Sequence, residues 1–124
     1  MWVNSYLPPD QGLAVFNEEE LRNTLAAVNW AIENTQCDFI CRNGDLNSDF
    51  SRHSTHVNIV RNFLEEKQLK KAHDNFHFDF TYCAPSDTSF SLVDHFIYNG
   101  ELSDHISQSG VLHRGDNISG HDEV

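Results

Sequence analysis

The stretch CDFICRNGDLNSDFSRHSTH, from Cys37 to His56, predicts both a fold element and a place where polar side chains gather. It opens with a short apolar run, Cys37 to Cys41, which is bounded by polar residues and therefore indicates a buried β-strand. A stretch rich in Asp, Asn and His follows directly. Polar residues at the end of a strand form either a turn or a site, and the rest of the sequence has to decide between them.

Two amphipathic helices flank this stretch. Asn17 precedes three glutamates, and an Asn with Glu three residues later resembles a capping box. Apolar residues then recur at helical spacing, which predicts a helix from Glu18 to about Asn34. Ser54 is a suitable N-cap for a second helix that ends near Lys67.

The remaining segments alternate between apolar and polar residues, as strands do. We expect strands at Trp2–Leu7, Phe76–Ala84, Ser89–Asn99 and, more weakly, Ser103–His113. The order of strands and helices predicts one α/β (α+β) domain over residues 1–124, with antiparallel hairpins towards its end.

Composition narrows the function. The chain has 124 residues, with 19 acidic and 8 basic side chains and a net charge of −11. This balance argues against tight nonspecific binding of a phosphate backbone, although a bound divalent cation would reverse the local field. The odd count of three cysteines, read as small core residues, and the lack of a leader pattern or a membrane-length apolar run predict an intracellular protein, nuclear or cytoplasmic, with no membrane partner.

Three polar groups interrupt otherwise apolar segments: Asp45 with Asn47, Asp94, and Asn117 with His121. An Asp can take a proton from water, an Asn can hold a phosphate oxygen, and an oriented His can stabilise negative charge. Each group alone is weak, because Asp-x-Asn is more often a turn. Asp94 is more unusual, since a carboxylate buried without a partner is costly. Its partner could be His121, the adjacent His95 or His113.

Taken in order, the segments VNSYLPP, FICRNGDLNSDFSR, DFTY, SFSLVDHFI and GDNISGHDEV resemble the endonuclease/exonuclease/phosphatase superfamily. The chain is most similar to the endonuclease domain of non-LTR (LINE-type) retrotransposons and their craniofacial-development-protein-like relatives. The resemblance implies part of a four-layer α/β sandwich whose N-terminal half is missing. It also implies a Mg²⁺-dependent phosphodiester hydrolase that acts on DNA.

The same resemblance assigns five site residues. Tyr6 matches the tyrosine near the scissile phosphate, Asp45 the aspartate that activates or positions water, and Asn47 the asparagine that contacts the phosphate. Asp94 matches the aspartate that orients the catalytic histidine, and His121 matches that histidine. Asp45, Asn47 and His121 are the implied Mg²⁺ contacts.

Two departures from the family pattern predict weak or absent activity. The family's Ser-Asp-His triplet reads Ser119-Gly120-His121, and the family's principal glutamate ligand lies in the half that this chain lacks. Glu18–Glu20 is no substitute, because an acidic first turn is explained by the helix dipole. His53 and His56 match no family motif and are interpreted as ordinary polar residues.

Two other functions stay open: a non-catalytic remnant or binding module of the same fold, and a phosphodiesterase acting on a lipid or inositol phosphate. Half of a sandwich would also leave a sheet face uncovered, which predicts association through that face.

Overall fold

Two α-helices and six β-strands make up the part of the chain that the structure, a computed structural model, describes: residues 1–9, 17–84, 89–113 and 121. In chain order they are β1 (Trp2–Asn4), α1 (Glu18–Glu33), β2 (Cys41–Asp45), α2 (Thr55–Glu66), β3 (Leu69–Lys71), β4 (Tyr82–Cys83), β5 (Phe90–Ser91) and β6 (Asp94–Asn99). Short 3₁₀ turns lie at Ala72–Asp74 and Gly100–His105.

The sheet is mixed, and its order is β1-β2-β6-β3. β1 and β2 run parallel, with α1 as the connection between them, whereas β6 is antiparallel to both β2 and β3. β4 and β5 form a separate antiparallel hairpin. The predicted α/β class is confirmed.

Both helices begin where the sequence predicts. The side chain of Asn17 accepts a hydrogen bond from the Glu20 N–H at 3.0 Å, and the Ser54 hydroxyl accepts one from the Val57 N–H at 3.1 Å. Each cap satisfies an N–H group that the first turn of a helix leaves without an internal partner. The two helices therefore start at fixed points relative to the strands.

The main core lies between the helices and one face of the sheet. Its buried members come from both helices, from β3 and β6, and from the segments that follow β1 and β2: Leu7, Leu21, Leu25, Leu46, Val60, Leu64, Leu69 and Ile97. The other face carries Trp2 and Phe96, whose ring centroids lie 6.0 Å apart. Trp2 is 65% exposed. Association through this face remains a prediction.

The second strand differs from its prediction. It begins at Cys41, the last residue of the predicted run, and contains the polar residues that follow. Arg42 lies at only 1% exposure opposite Ile97, and Gly44 has a φ of +140°. A Cβ at Gly44 would lie 2.0 Å from the Ser5 carbonyl oxygen, so glycine permits the close approach of the preceding chain. Cys37, expected in the core, is exposed.

Three later strand predictions are too long. Of the predicted Phe76–Ala84 strand, only Tyr82–Cys83 forms a strand. At the start of the segment, the Phe76 N–H bonds the Ala72 carbonyl and continues a turn. The predicted Ser89–Asn99 strand is two strands, β5 and β6. Residues 103–113 include part of a 3₁₀ turn and no described strand, while the short strand β3 was missed.

None of the described helices is both long and apolar enough to cross a membrane.

We expect acid to destabilise the fold through His95. Burial, with a smaller contribution from nearby His73, lowers the pKa of His95 from 6.5 to about 3. The unfolded chain therefore binds a proton that the folded chain excludes, and stability falls as the pH drops from about 6.5 to about 3, by up to roughly 1.4 kcal/mol per pH unit from this group. Urea unfolding measured across this range gives the slope.

His95→Gln, which keeps a donor but does not titrate, should flatten that slope. His53→Gln, at an exposed site, should leave it unchanged. Equal slopes in the His95→Gln variant and the parent would contradict the assignment.

Candidate functional site

The candidate site lies at one end of the sheet, where β2 ends and the neighbouring strand β6 begins. Asp45 is the last residue of β2 and Asp94 the first of β6, and the antiparallel register places them directly opposite each other. The chain after β1 reaches the same end, because the Leu7 N–H bonds the Asp45 carbonyl at 2.9 Å. Two strands with opposite directions thus bring residues distant in sequence to one place.

Asp94 has the partner that its burial requires. Its Oδ2 lies 2.9 Å from Nδ1 of His121, so His121 is the partner and the adjacent His95 is not. The ring of His121 also packs against Tyr82, with 4.9 Å between the centroids. The hydroxyl oxygen of Thr81 accepts hydrogen bonds from the backbone N–H groups of Val93 and Asp94, at 3.0 and 2.9 Å. The aspartate is therefore held from its backbone as well as through its carboxylate.

Asn47 adopts a left-handed backbone conformation with a φ of 47°. Asn tolerates this conformation better than most residues. Its N–H donates to Oδ1 of Asp45 at 2.7 Å, and its side-chain Nδ2 donates to the Leu7 carbonyl at 2.8 Å. The Asp-x-Asn segment is therefore a turn, and the same turn aims the Asp45 and Asn47 side chains at one place.

These residues border a cleft of about 400 Å³. Its lining includes Tyr6, Asp45, Asn47, Arg52 and His121. Tyr6 is 63% exposed at this cleft, whereas Asp94 contacts the cleft through His121. The structure thus brings together the residues predicted from the sequence, and their catalytic roles remain a prediction. Asn117 and the Ser119-Gly120 pair lie outside the described residues.

Electrostatics make Asp45 the unusual carboxyl of the cleft. Burial raises the pKa of Asp45, and the nearby charge of Asp94 raises it further. The N–H of Asn47 and the imidazole of His121 act in the opposite direction, and the net effect is a raised pKa. A carboxyl with a raised pKa is a stronger base once ionised, which suits the removal of a proton from water.

The donor set fits a divalent cation. Ligand atoms of Asp45, Asp94 and His121 all lie within 4.8 Å of one another. Mg²⁺ in proteins is often held by only one or two carboxylates together with water and a substrate phosphate. Two of the predicted Mg²⁺ contacts, Asp45 and His121, belong to this group, and ligation by the side-chain oxygen of Asn47 remains a prediction.

Several residues of the site region were given no role from the sequence. Arg52 lines the cleft and donates to the Ser91 hydroxyl at 2.6 Å. His56, interpreted as an ordinary polar residue, is buried at 1% exposure and contacts the turn that carries Asn47. His113, the other candidate partner for Asp94, instead bonds Asp79 at 3.0 Å. The sequence did offer one signal that His56 is buried. It lies in the first turn of α2, on the same side of the helix as Val57 and Val60.

Comparison with known proteins supports the fold. No protein-family model matches the chain, and no curated protein matches it by sequence. Among solved structures, it is similar to an endonuclease/exonuclease/phosphatase family protein from Bacteroides thetaiotaomicron, with a TM-score of 0.53 and 12% sequence identity. The match covers 86% of this chain and 44% of that one, so the chain spans less than half of its length. The mixed α/β fold is therefore that of the endonuclease/exonuclease/phosphatase type.

Asp45→Asn should stabilise the folded protein at pH 7. The raised pKa of Asp45 means that folding disfavours its charged form, and Asn removes the charge while it can still accept the Asn47 N–H. The gain should stay below about 1 kcal/mol, because the carboxyl is only partly buried and water screens its charge. Urea unfolding measures it.

Asp79→Asn is the matched control, and it should change the free energy of unfolding in the opposite direction. A hydrogen bond from His113 lowers the pKa of Asp79, so the charged form is favoured by folding and its removal should destabilise the protein. A loss of stability for both variants would show that Asp45 is an ordinary paired carboxylate.

Proposed function

We propose that this chain carries part of a Mg²⁺-dependent phosphodiester hydrolase site of the retroelement-endonuclease kind, with DNA as its substrate. The observation that carries the proposal is the Asp94–His121 pair, bonded at 2.9 Å beside Asp45 at one end of the sheet. Here a carboxylate orients an imidazole next to a second carboxyl with a raised pKa. Such groups can transfer protons and stabilise charge during hydrolysis of a phosphate ester.

Asp45 acts as the base in this proposal. Its Oδ1 is held by the Asn47 N–H, which leaves Oδ2 to accept a proton from a water molecule in the cleft. Its raised pKa moves it closer to the range in which general bases are effective at neutral pH.

His121 and Asn47 act on the phosphate oxygens. Nδ1 of His121 donates to Asp94, and in the doubly protonated imidazolium form Nε2 would donate to a phosphate oxygen. The amide of Asn47 gives one hydrogen to Leu7 and has a second, together with its carbonyl oxygen, to position the same group. Donors fixed before the reaction stabilise developing charge without reorganising at that moment.

Arg52 supplies the positive charge that the acidic composition otherwise lacks in this cleft. It donates to the Ser91 hydroxyl and lies 3.4 Å from the Asp49 carboxylate, so its position at the cleft wall is defined on two sides. A divalent cation bound by Asp45 and Asp94 would supply charge neutralisation and a more acidic water molecule. The guanidinium would hold the phosphate on the adjoining side.

Catalysis by the chain alone should be weak. Asp45 cannot serve fully both as the base and as a strong metal ligand, and the described cluster holds only one further carboxylate. Loss of a single transition-state contact typically costs on the order of 10²–10³ in rate. The same shortage favours the second candidate, a non-catalytic binding module of this fold. A phosphodiesterase for a lipid or inositol phosphate would need the same site.

Nicking of supercoiled plasmid with Mg²⁺, and with EDTA as the blank, tests this proposal. We expect little nicking by the parent chain. Gly120→Asp restores the aspartate of the family's triplet, and it should raise Mg²⁺-dependent nicking at least tenfold. Asp45→Ala in the Gly120→Asp background should remove the gain, because the base is lost.

His53→Ala in the same background is the control, since His53 is exposed and does not line the cleft. No gain from Gly120→Asp would favour the binding module. Nicking that survives Asp45→Ala would show that the base has been assigned wrongly.

A further inference from the structure

Two buried histidines reach the turn that carries Asn47 from different elements. His95 lies on β6, directly after Asp94, and His56 lies in the first turn of α2. Both are 1% exposed. Side chains alternate across a strand, so Asp94 and His95 point to opposite faces of β6, and only the aspartate faces His121.

His95 donates to the backbone after Asn47. Its Nε2 lies 2.8 Å from the Ser48 carbonyl oxygen, and since a carbonyl oxygen only accepts, Nε2 carries the hydrogen. In the neutral tautomer that carries its hydrogen on Nε2, Nδ1 is an acceptor. Nδ1 of His73, 3.3 Å away, therefore donates to it. The tautomer of His95 follows from these two contacts.

His56 donates to the backbone before Asn47. Its Nε2 lies 3.2 Å from the Leu46 carbonyl and 2.9 Å from the Ser48 hydroxyl oxygen. The single hydroxyl hydrogen of Ser48 is already donated to the Leu46 carbonyl at 2.9 Å. The hydrogen between His56 and Ser48 must therefore come from Nε2 of His56.

The turn needs these donors. Leu46 and Ser48 are fully buried on either side of the left-handed Asn47, and buried carbonyls without a partner are costly. The Leu46 N–H is bonded to the Val93 carbonyl, so the N-terminal side of the turn is also tied to the chain entering β6. The contacts of the Leu46 N–H, the Leu46 carbonyl and the Ser48 carbonyl therefore fix the backbone on both sides of Asn47.

We propose that His56 and His95 are positioning residues of the candidate site. They hold the Leu46 and Ser48 carbonyl groups, so that Asn47 keeps its left-handed conformation and its N–H keeps donating to the Asp45 carboxylate. This inference rests on the proposed function, because it assigns the two histidines to the phosphate side of that site. Neither imidazole contacts substrate in this account, and each acts through the turn.

The variants distinguish the loss of a hydrogen-bond donor from a change in side-chain volume. His95→Leu and His56→Leu remove the ring N–H with little change in size. His95→Gln and His56→Gln keep an N–H donor near the position of Nε2. Tyr98→Phe is the matched control, because it removes a buried hydroxyl that accepts from Asn75 at 2.8 Å on the same strand as His95 but away from the turn.

Amide hydrogen exchange, read by NMR, reports on the turn directly. The Asn47 N–H is protected by its bond to Asp45, so each Leu variant should speed its exchange at least tenfold more than that of amides in the middle of β6. The Gln variants should recover most of the protection. Tyr98→Phe should change exchange at Asn47 only in step with β6, as general destabilisation would.

Equal changes at Asn47 and in β6 for the Leu variants would show that the histidines are structural only, and the inference would fail. If the Leu variants do not fold, His95→Asn and His56→Asn keep a polar side chain that is too short to bring a donor to the position of Nε2. An Asn47 exchange rate unchanged relative to β6 in those variants would equally contradict the inference.

Exchange at Asn47 does not depend on cleavage, so this result stands even if the proposed function fails. In a background that nicks plasmid, the Leu variants should lower kcat by on the order of 10- to 100-fold, with KM nearly unchanged. Selective exchange at Asn47 without any cleavage would keep the positioning role of the histidines and remove the hydrolase.

Discussion

The antiparallel pairing of β2 with β6 is the constraint on which the candidate site depends. It places Asp45 opposite Asp94, although the two are far apart in sequence. The ladder continues past both residues through the bond between the Leu46 N–H and the Val93 carbonyl. A slip of one residue would turn one carboxylate to the other face of the sheet. Gly44 also supports this register. The chain after β1 passes so close to Gly44 that any side chain there would collide with the Ser5 carbonyl oxygen.

Opposed carboxylates cost stability, and the surrounding contacts offset part of that cost. Asp94 is hydrogen-bonded to His121 and held at its backbone by Thr81. Asp45 receives the Asn47 N–H, yet burial and the charge of Asp94 still raise its pKa. Perturbed carboxyls of this kind occur at functional sites and also in structural ion-pair networks. The raised pKa of Asp45 supports the proposal that it serves as a base or a cation ligand.

Local signals in the sequence predicted the helices, and an ordered set of motifs predicted the site. Asn17 and Ser54 cap as expected, because capping depends on a few neighbouring residues. The strands were harder, since pairing partners are distant. β2 begins at Cys41, at the end of the apolar run, and it buries Arg42 against the polarity of that residue. The contacts of His56 were missed because its partners Leu46 and Ser48 lie ten and eight residues earlier in the sequence.

We propose that Asp45 and Asp94 hold a divalent cation at one end of the sheet. Paramagnetic broadening of amide signals by substoichiometric Mn²⁺ is the sharpest test of this site, because broadening reports distance from the ion and needs no catalysis. We expect selective broadening of Asp45, Asn47 and Asp94, lost in Asp45→Asn. Broadening that is centred on the exposed Glu18–Glu20 turn, or that survives in Asp45→Asn, would contradict it.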